Sequence, residues 1–286
     1  MKRIGLIDYY INEWHALNYP TFLKNVKDAI DGEFEITDFY AEIDHPNLSS
    51  DEYEKQYGVH KCSSLEELCN TCDYLMVLYP DNPERKFEVA KKVIPYKKPI
   101  FVDKTFMNSF KEAEEIFELA KQHQTPLFTS SSLRYADEVR ELGDVDSLLV
   151  IAPSVHLSDY WIHPLEIVVS KMGVGATKAK LSKSGVHHML NVKYKNGRNA
   201  LIVIAEGGNA QDFFVSGNGK FKQNLVRCAS PYFENEMKDI LRFFNEKKPS
   251  FSYLETLEAM RLRDIALQNR FDEWISLTLI SKSPLH

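Results

Sequence analysis

Cysteine is scarce, positive charge is not in excess, and no apolar run is long. The 286 residues include four cysteines, Cys62, Cys69, Cys72 and Cys228. Cys69 and Cys72 have C-x-x-C spacing, but no second pair completes a zinc site. Structural thiols in a reducing cytosol are therefore expected. Lys and Arg number 35 against 41 Asp and Glu, a net charge of −6. Such a chain has no overall attraction to nucleic acid, and Lys91, Lys92, Lys97 and Lys98 read as the solvated face of a helix-to-strand junction. No segment approaches the ~18 apolar residues of a membrane span. The opening Lys2-Arg3-Ile4-Gly5-Leu6-Ile7 lacks the apolar run and cleavage site of a signal peptide. The expectation is a cytoplasmic protein with neither nucleic-acid nor membrane partners. Repeats and low-complexity linkers are absent as well.

What is present is an ordinary globular composition, 44% hydrophobic and 27% charged, with aromatics at 12% to fill its cores. A chain of this length exceeds what one core usually supports, which predicts two domains. In the first half, strands are expected at Ile4–Ile7, Phe34–Phe39, Tyr74–Leu78, Pro99–Val102 and Pro126–Phe128. Helices alternate with them: one through Phe22 to Ile30, a short one capped by Ser64, and two over Pro83–Val93 and Ser109–His123. The apolar runs are short and continuous, as in strands buried on both faces. Five strands alternating with helices predict a doubly wound parallel sheet, whose ligands bind at the carboxyl ends of the strands. After Gly143 the pattern changes. A strand at Leu148–Ile151 and a helix at Trp161–Met172 precede strands at His187–Tyr194, Ala200–Ala205 and Phe213–Ser216. Asn196-Gly197 supplies a hairpin turn, Gly217-Asn218-Gly219 another turn, and helices near Glu234–Asn245 and Leu254–Asn269 close the chain.

Two segments carry candidate chemistry. In Val102-Asp103-Lys104 a lysine follows a buried strand, at the ligand edge of the sheet. Burial lowers a lysine's pKa and suits it to proton handling or to polarising a hydroxyl; a surface lysine at a loop start is the plainer reading. In Asp159-Tyr160-Trp161-Ile162-His163 the acid and the imidazole are four apart and can share a helical face. The acid can then orient or charge-tune the base; the plainer reading is a helix cap and a partly buried histidine.

Taken together, these segments resemble the glucose–fructose oxidoreductase / inositol dehydrogenase (Gfo/Idh/MocA) family. Asp103-Lys104-Thr105 stands in the place of the family's E-K-P, with its outer residues changed. Asp159 and His163 match its D-x-x-x-H, Glu166 stands at a second acid, and Gly173 ends the helix. Ser64 to Leu68, Asp73 to Val77, Ser109 to Ala120 and Glu255 to Met260 follow the family's order. The resemblance implies an α/β chain. A Rossmann-type doubly wound parallel sheet would occupy residues 1–142, and an α+β domain with an open, mostly antiparallel sheet residues 143–286. It also implies NAD or NADP as cofactor, and hydride transfer to or from a polyol, sugar or related hydroxylated small molecule. His163 would take the hydroxyl proton, Lys104 would hold the oxygen, and Asp159 would bind a neighbouring hydroxyl or tune His163. A homodimer or homotetramer is implied, with Phe213-Phe214 as a candidate contact.

The first turn departs from the family. Where G-x-G-x-x-G is usual, Asp8 and Tyr10 replace glycines, opposing a diphosphate by charge and by bulk. After the third long strand, Tyr79-Pro80-Asp81-Asn82 keeps the family's proline and lacks its histidine. Asp8, Tyr10, Asp38, Tyr79, Pro80, Asn82 and Lys104 are the expected cofactor contacts, with Asp38 or Glu42 as the ribose acid. Asp8, Glu13, His15, Asp81 and Glu84 can gather at the sheet edge, but their spacing matches no metal-ligand pattern, and no metal is expected. The rival function is a non-catalytic sugar-binding or regulatory protein that has lost the dinucleotide. Lyase or hydrolase chemistry with the same lysine and histidine is a third.

Overall fold

The computed structural model describes residues 1–80, 82–207, 212–218 and 224–280. In chain order its elements are β1 Lys2–Asp8, α1 Trp14–Val26, β2 Phe34–Ala41, α2 Ser50–Tyr57, β3 His60–Lys61, α3 Leu65–Thr71, β4 Tyr74–Val77, α4 Pro83–Val93, β5 Ile100–Asp103, α5 Phe110–His123 and β6 Leu127–Ser130. There follow α6 Asp137–Glu141, β7 Ser147–Ser154, α7 Leu157–Tyr160, α8 Ile162–Met172, β8 Ala176–Ser184, β9 His187–Tyr194, β10 Asn199–Glu206, β11 Phe214–Gly217, β12 Val226–Arg227, α9 Tyr232–Glu246, α10 Tyr253–Leu267 and β13 Trp274–Ser276.

Two compact units result: Met1–Ser130 with Phe233–Phe251, and Ser131–Tyr232 with Ser252–His286. The division differs from the expected boundary near Gly143 in two respects. It falls some dozen residues earlier, where β6 ends, and α9 returns to the first unit. The return has a hydrophobic cause. Met237, Ile240, Leu241, Phe243 and Phe244 join the core built by Ile4, Leu6, Phe39, Met76, Phe101 and Phe128. Glu236 also accepts a hydrogen bond from the Ser130 hydroxyl at 2.8 Å.

The first sheet has the order β3-β2-β1-β4-β5-β6 and is parallel throughout. It has six strands where five were expected, because β3 is only two residues long and carries no periodic signal. The order reverses direction between β1 and β4, and such a switch point opens a crevice at the carboxyl ends of the strands. Local signals explain the helices around it. Pro83 sits at the first position of α4, and the Ser109 hydroxyl accepts from the Glu112 N–H to start α5. Ser49 and Glu52 form a full capping box before α2.

The second sheet has the order β12-β11-β7-β10-β9-β8-β13; β7 and β10 run parallel and every other pair antiparallel. Asn196 and Gly197 turn β9 into β10 with φ of 62° and 78°, as the hairpin reading required. β8 was not anticipated: its Thr177, Lys178, Lys180, Ser182 and Lys183 interrupt the apolar pattern. Gly219 of the expected Gly217-Asn218-Gly219 turn lies outside the described residues, as does Asp81. Among the described residues no helix is long and apolar enough to cross a membrane.

Candidate functional site

In the first unit, the strand ends at the switch point carry a buried polar network. Asp8 closes β1, and its Oδ1 accepts from the N–H of Tyr9 at 2.7 Å and of Tyr79 at 3.1 Å, joining the ends of β1 and β4. Its Oδ2 is buried with no hydrogen-bond donor among the described residues. Burial first, and then the charge of Glu13, push the Asp8 carboxyl well above the usual range. Glu13 is the N-cap of α1. Its carboxylate accepts from the N–H groups of His15, at 2.6 Å, and Ala16, and from His15 Nδ1 at 3.0 Å. The imidazole's other nitrogen lies 3.5 Å from Asp103 Oδ2. The Tyr19 hydroxyl donates to Asp103 Oδ1 at 3.1 Å. Burial alone would raise Asp103, but His15, Lys104 and Lys86 together hold it below the ordinary carboxylate range.

The buried lysine of this edge is Lys86. It is fully enclosed, and its ammonium donates to the carbonyls of Asp103, Lys104 and Thr105 at 2.8, 2.8 and 2.9 Å. Burial pulls its pKa down to about 7. Lys104 follows the end of β5, as expected, and is half-buried. Sequence reasoning gave the buried-lysine role to Lys104 and passed over Lys86, which sits in an unremarkable charged run, Pro83-Glu84-Arg85-Lys86.

Asp38 is displaced from its expected place at the strand end. It pairs with Gly5 in mid-sheet. Arg3 Nη2 bonds both of its oxygens, at 3.0 and 2.9 Å, and Cys72 Sγ lies 3.4 Å away. It is thus occupied as an internal counter-ion and is not at the ligand edge. The acid at the end of β2 is Glu42, which takes the Tyr79 hydroxyl at 2.9 Å and the Arg85 guanidinium. Arg85 in turn lies over the Tyr9 ring, 4.9 Å from its centre. Tyr10 packs on His45 at 4.9 Å. Pro80 and Asn82 lead into α4, and Asn82 is its N-cap residue without a side-chain capping bond. Asp38, His60 and Cys62 place one ligand atom each within 4.8 Å of one another. Arg3 already neutralises that carboxylate, however, and burial pushes the Cys62 thiol up to about 12. His60 is exposed and bonds Glu54 at 3.0 Å, and all four cysteines are buried and free.

In the second unit, His163 lies on the first turn of α8, beside the Tyr160 and Phe213 rings at 5.4 and 5.7 Å. Its Nδ1 is 2.7 Å from the Ser131 hydroxyl. Ser131 was not anticipated as the imidazole's partner; it lies 32 residues away in the chain, beyond the reach of any local pattern. Asp159 sits on the separate short helix α7, with Trp161 between it and α8, so the single helix imagined from D-x-x-x-H is two. The guanidinium of Arg263, bonded to the Ser158 carbonyl at 3.0 Å, feels the Asp159 charge. Phe213 is buried in its own unit against His163 and is unsuited to the intersubunit contact assigned to it.

Glu166, on the buried face of α8, pairs with Arg134 at 3.2 Å, and Arg134 also binds Glu255. Burial nonetheless lifts the Glu166 carboxyl to about 7, helped by the Glu255 charge. A folded-state pKa above the unfolded one means stability that is full below about pH 4.5 and lost as pH rises through 7. Glu166→Gln should therefore flatten the fall in unfolding free energy between pH 5 and pH 8, a fall of about 3 kcal/mol at most. Urea unfolding at the two pH values tests this, and parallel slopes for both proteins would refute it.

Against this geometry, the family model described as an oxidoreductase family with an NAD-binding Rossmann fold (GFO_IDH_MocA) matches residues 20–131. Over this segment the chain is similar to the Gfo/Idh/MocA family. The match begins after the Asp8–Glu13 turn and includes Lys104. No curated protein sequence matches the chain. Among solved structures, GenD2 from gentamicin A biosynthesis, in complex with NAD, is similar with a TM-score of 0.77 and 12% identity over 97% of both chains. UDP-N-acetylglucosamine 3-dehydrogenase GnnA from Acidithiobacillus ferrooxidans follows at 0.74 and 13%, over 93% of this chain and 96% of its own. The myo-inositol 2-dehydrogenase from Lactobacillus plantarum follows at 0.72 and 14%, over 97% and 99%. At these identities the likeness is one of fold.

The Gfo/Idh/MocA fold implies a dinucleotide, and in Rossmann units its diphosphate rests on the N-terminus of the first helix. Here that seat does not fit. The N–H groups of His15 and Ala16 are taken by Glu13, and its carboxylate faces the place where phosphate charge would lie.

Proposed function

We propose that this protein is an NAD(P)-dependent oxidoreductase acting on a polyol, sugar or related hydroxylated small molecule. The observation that carries the reading is Lys104, placed directly after β5 at the ligand edge of a parallel sheet and inside the segment that matches the family. Lys104 holds the substrate oxygen, His163 takes the hydroxyl proton, and Asp159 binds a neighbouring hydroxyl. The Ser131 hydroxyl, 2.7 Å from Nδ1, orients the imidazole for that role. The named neighbours GnnA and myo-inositol 2-dehydrogenase act on hydroxylated rings, which supports the substrate class.

A homodimer or homotetramer belongs to the same proposal. Leu149, Ile151, Met189, Leu201, Val203 and Phe214 are half-buried on one face of the second sheet, in facing register. Such an apolar face suits burial against another copy. Of the expected Phe213-Phe214 contact, Phe214 lies on this face and Phe213 is buried.

Binding of NADH and NADPH to the purified protein, followed by calorimetry, tests the central claim. Saturable binding of either is expected. If neither binds at millimolar concentration, the oxidoreductase reading fails.

A further inference from the structure

The positions 8, 10 and 13 have the spacing of the three glycines in G-x-G-x-x-G, counted from the end of β1. All three are filled, by a buried aspartate, a tyrosine and a buried glutamate. The glutamate is the informative one, because it does the work an incoming anion would do. Several backbone donors of the turn are taken within the chain: Tyr9 N–H on Asp8, Glu13 N–H on the Ile11 carbonyl at 2.9 Å, Leu17 N–H on the Glu13 carbonyl at 3.1 Å, and His15 and Ala16 N–H on the Glu13 carboxylate. Further negative charge lies beyond His15, at Asp103. A helix N-terminus favours one anion through its free N–H groups and its dipole. Once a carboxylate is bonded there, a second anion meets like charge in a poorly solvated place.

We propose that Glu13 is a resident occupant of the diphosphate seat, so that the diphosphate of a dinucleotide adds no affinity at α1 unless that carboxylate is removed or neutralised. The proposal rests on the oxidoreductase reading and identifies Glu13 as the residue that sets nucleotide affinity within it. The backbone at residue 13 imposes no further block. Glu13 has extended backbone angles, φ −134° and ψ 163°, which glycine adopts freely, and glycine is an accepted N-cap.

The test measures NADH and adenosine affinity for the wild type, Glu13→Gln and Glu13→Gly, with thermal unfolding to confirm that each is folded. Glu13→Gln keeps a side-chain acceptor for the helix, so one variant remains informative if the other is unstable. The expected result is that the wild type binds NADH no more tightly than adenosine, and that both variants bind NADH at least tenfold more tightly than the wild type does. A wild type that prefers NADH over adenosine by tenfold or more overturns the inference without any variant and leaves the oxidoreductase reading standing. Variants with unchanged, measurable NADH affinity do the same. If NADH and NADPH bind to none of the three proteins, both fall.

Discussion

Lys86→Met is expected to destabilise the first unit by about 4 kcal/mol and to lower the unfolding temperature by roughly 10 °C. The substitution keeps most of the volume and removes the ammonium. Three buried carbonyls at the end of β5 lose their common donor, and each unsatisfied group costs about 1–3 kcal/mol. Asp103, fully buried, also loses one of the cations that keep it ionised. The effect has a pH signature. Burial holds Lys86 at about 7, below its value in the unfolded chain, so between pH 7 and about 10 the unfolded chain alone carries the extra proton. Wild-type stability therefore gains with rising pH across that window, and the variant lacks this gain. Calorimetric scans of the two proteins at pH 7 and pH 9 check both statements. A shift under 2 °C at either pH would mean that the three carbonyls find other donors.

The second large effect is kinetic. On the proposed chemistry, His163→Ala removes the proton acceptor and lowers kcat by about 10²–10⁴-fold, with KM within a few-fold of wild type. Lys104→Ala falls in the same range, and the double variant is expected to be little worse than the poorer single one, because the two groups act on one oxygen. Ser131→Ala is different in kind. It leaves the base in place and frees its Nδ1, so it should shift the pH–rate profile and cost far less than His163→Ala. Steady-state rates with a substrate found by screening hydroxylated compounds against NAD and NADP decide the matter. A His163→Ala enzyme within threefold of wild type would remove His163 from the chemistry.

Much of the fold was legible because its signals are local. Tyr74 to Leu78 is a buried strand by composition, Pro83 and Ser109 start helices by their own chemistry, and Asn196-Gly197 tolerates the left-handed angles a hairpin needs. The doubly wound sheet followed from strand–helix alternation alone. What escaped was decided by partners distant in sequence. β3 exists only because Asp38 and Phe39 hydrogen-bond a passing two-residue segment. Nothing in Tyr232 to Glu246 says which sheet its apolar face will cover. The site divides the same way. Lys104 and His163 are proposed from residue type and place. Asp38 and Glu42 stood as alternatives because a sequence cannot show that Arg3 claims Asp38 from the neighbouring strand. Glu13 was passed over as a cap because glutamate is not among the usual N-cap residues, and Lys86 because a lysine in a charged helix start reads as solvated.

The return of α9 to the first unit sets an order of events during synthesis. Translation delivers the six strands of the first sheet by Ser130, yet the helix that contributes Phe243 and Phe244 to their core emerges only with residues 233–251. At about 5–20 residues per second, the roughly 120 intervening residues take about 6–24 s. For that interval the nascent sheet stands at the ribosome with an apolar face unsealed, and the second unit, itself awaiting α10, is being made in the meantime. Neither unit can be completed before the other has been largely translated.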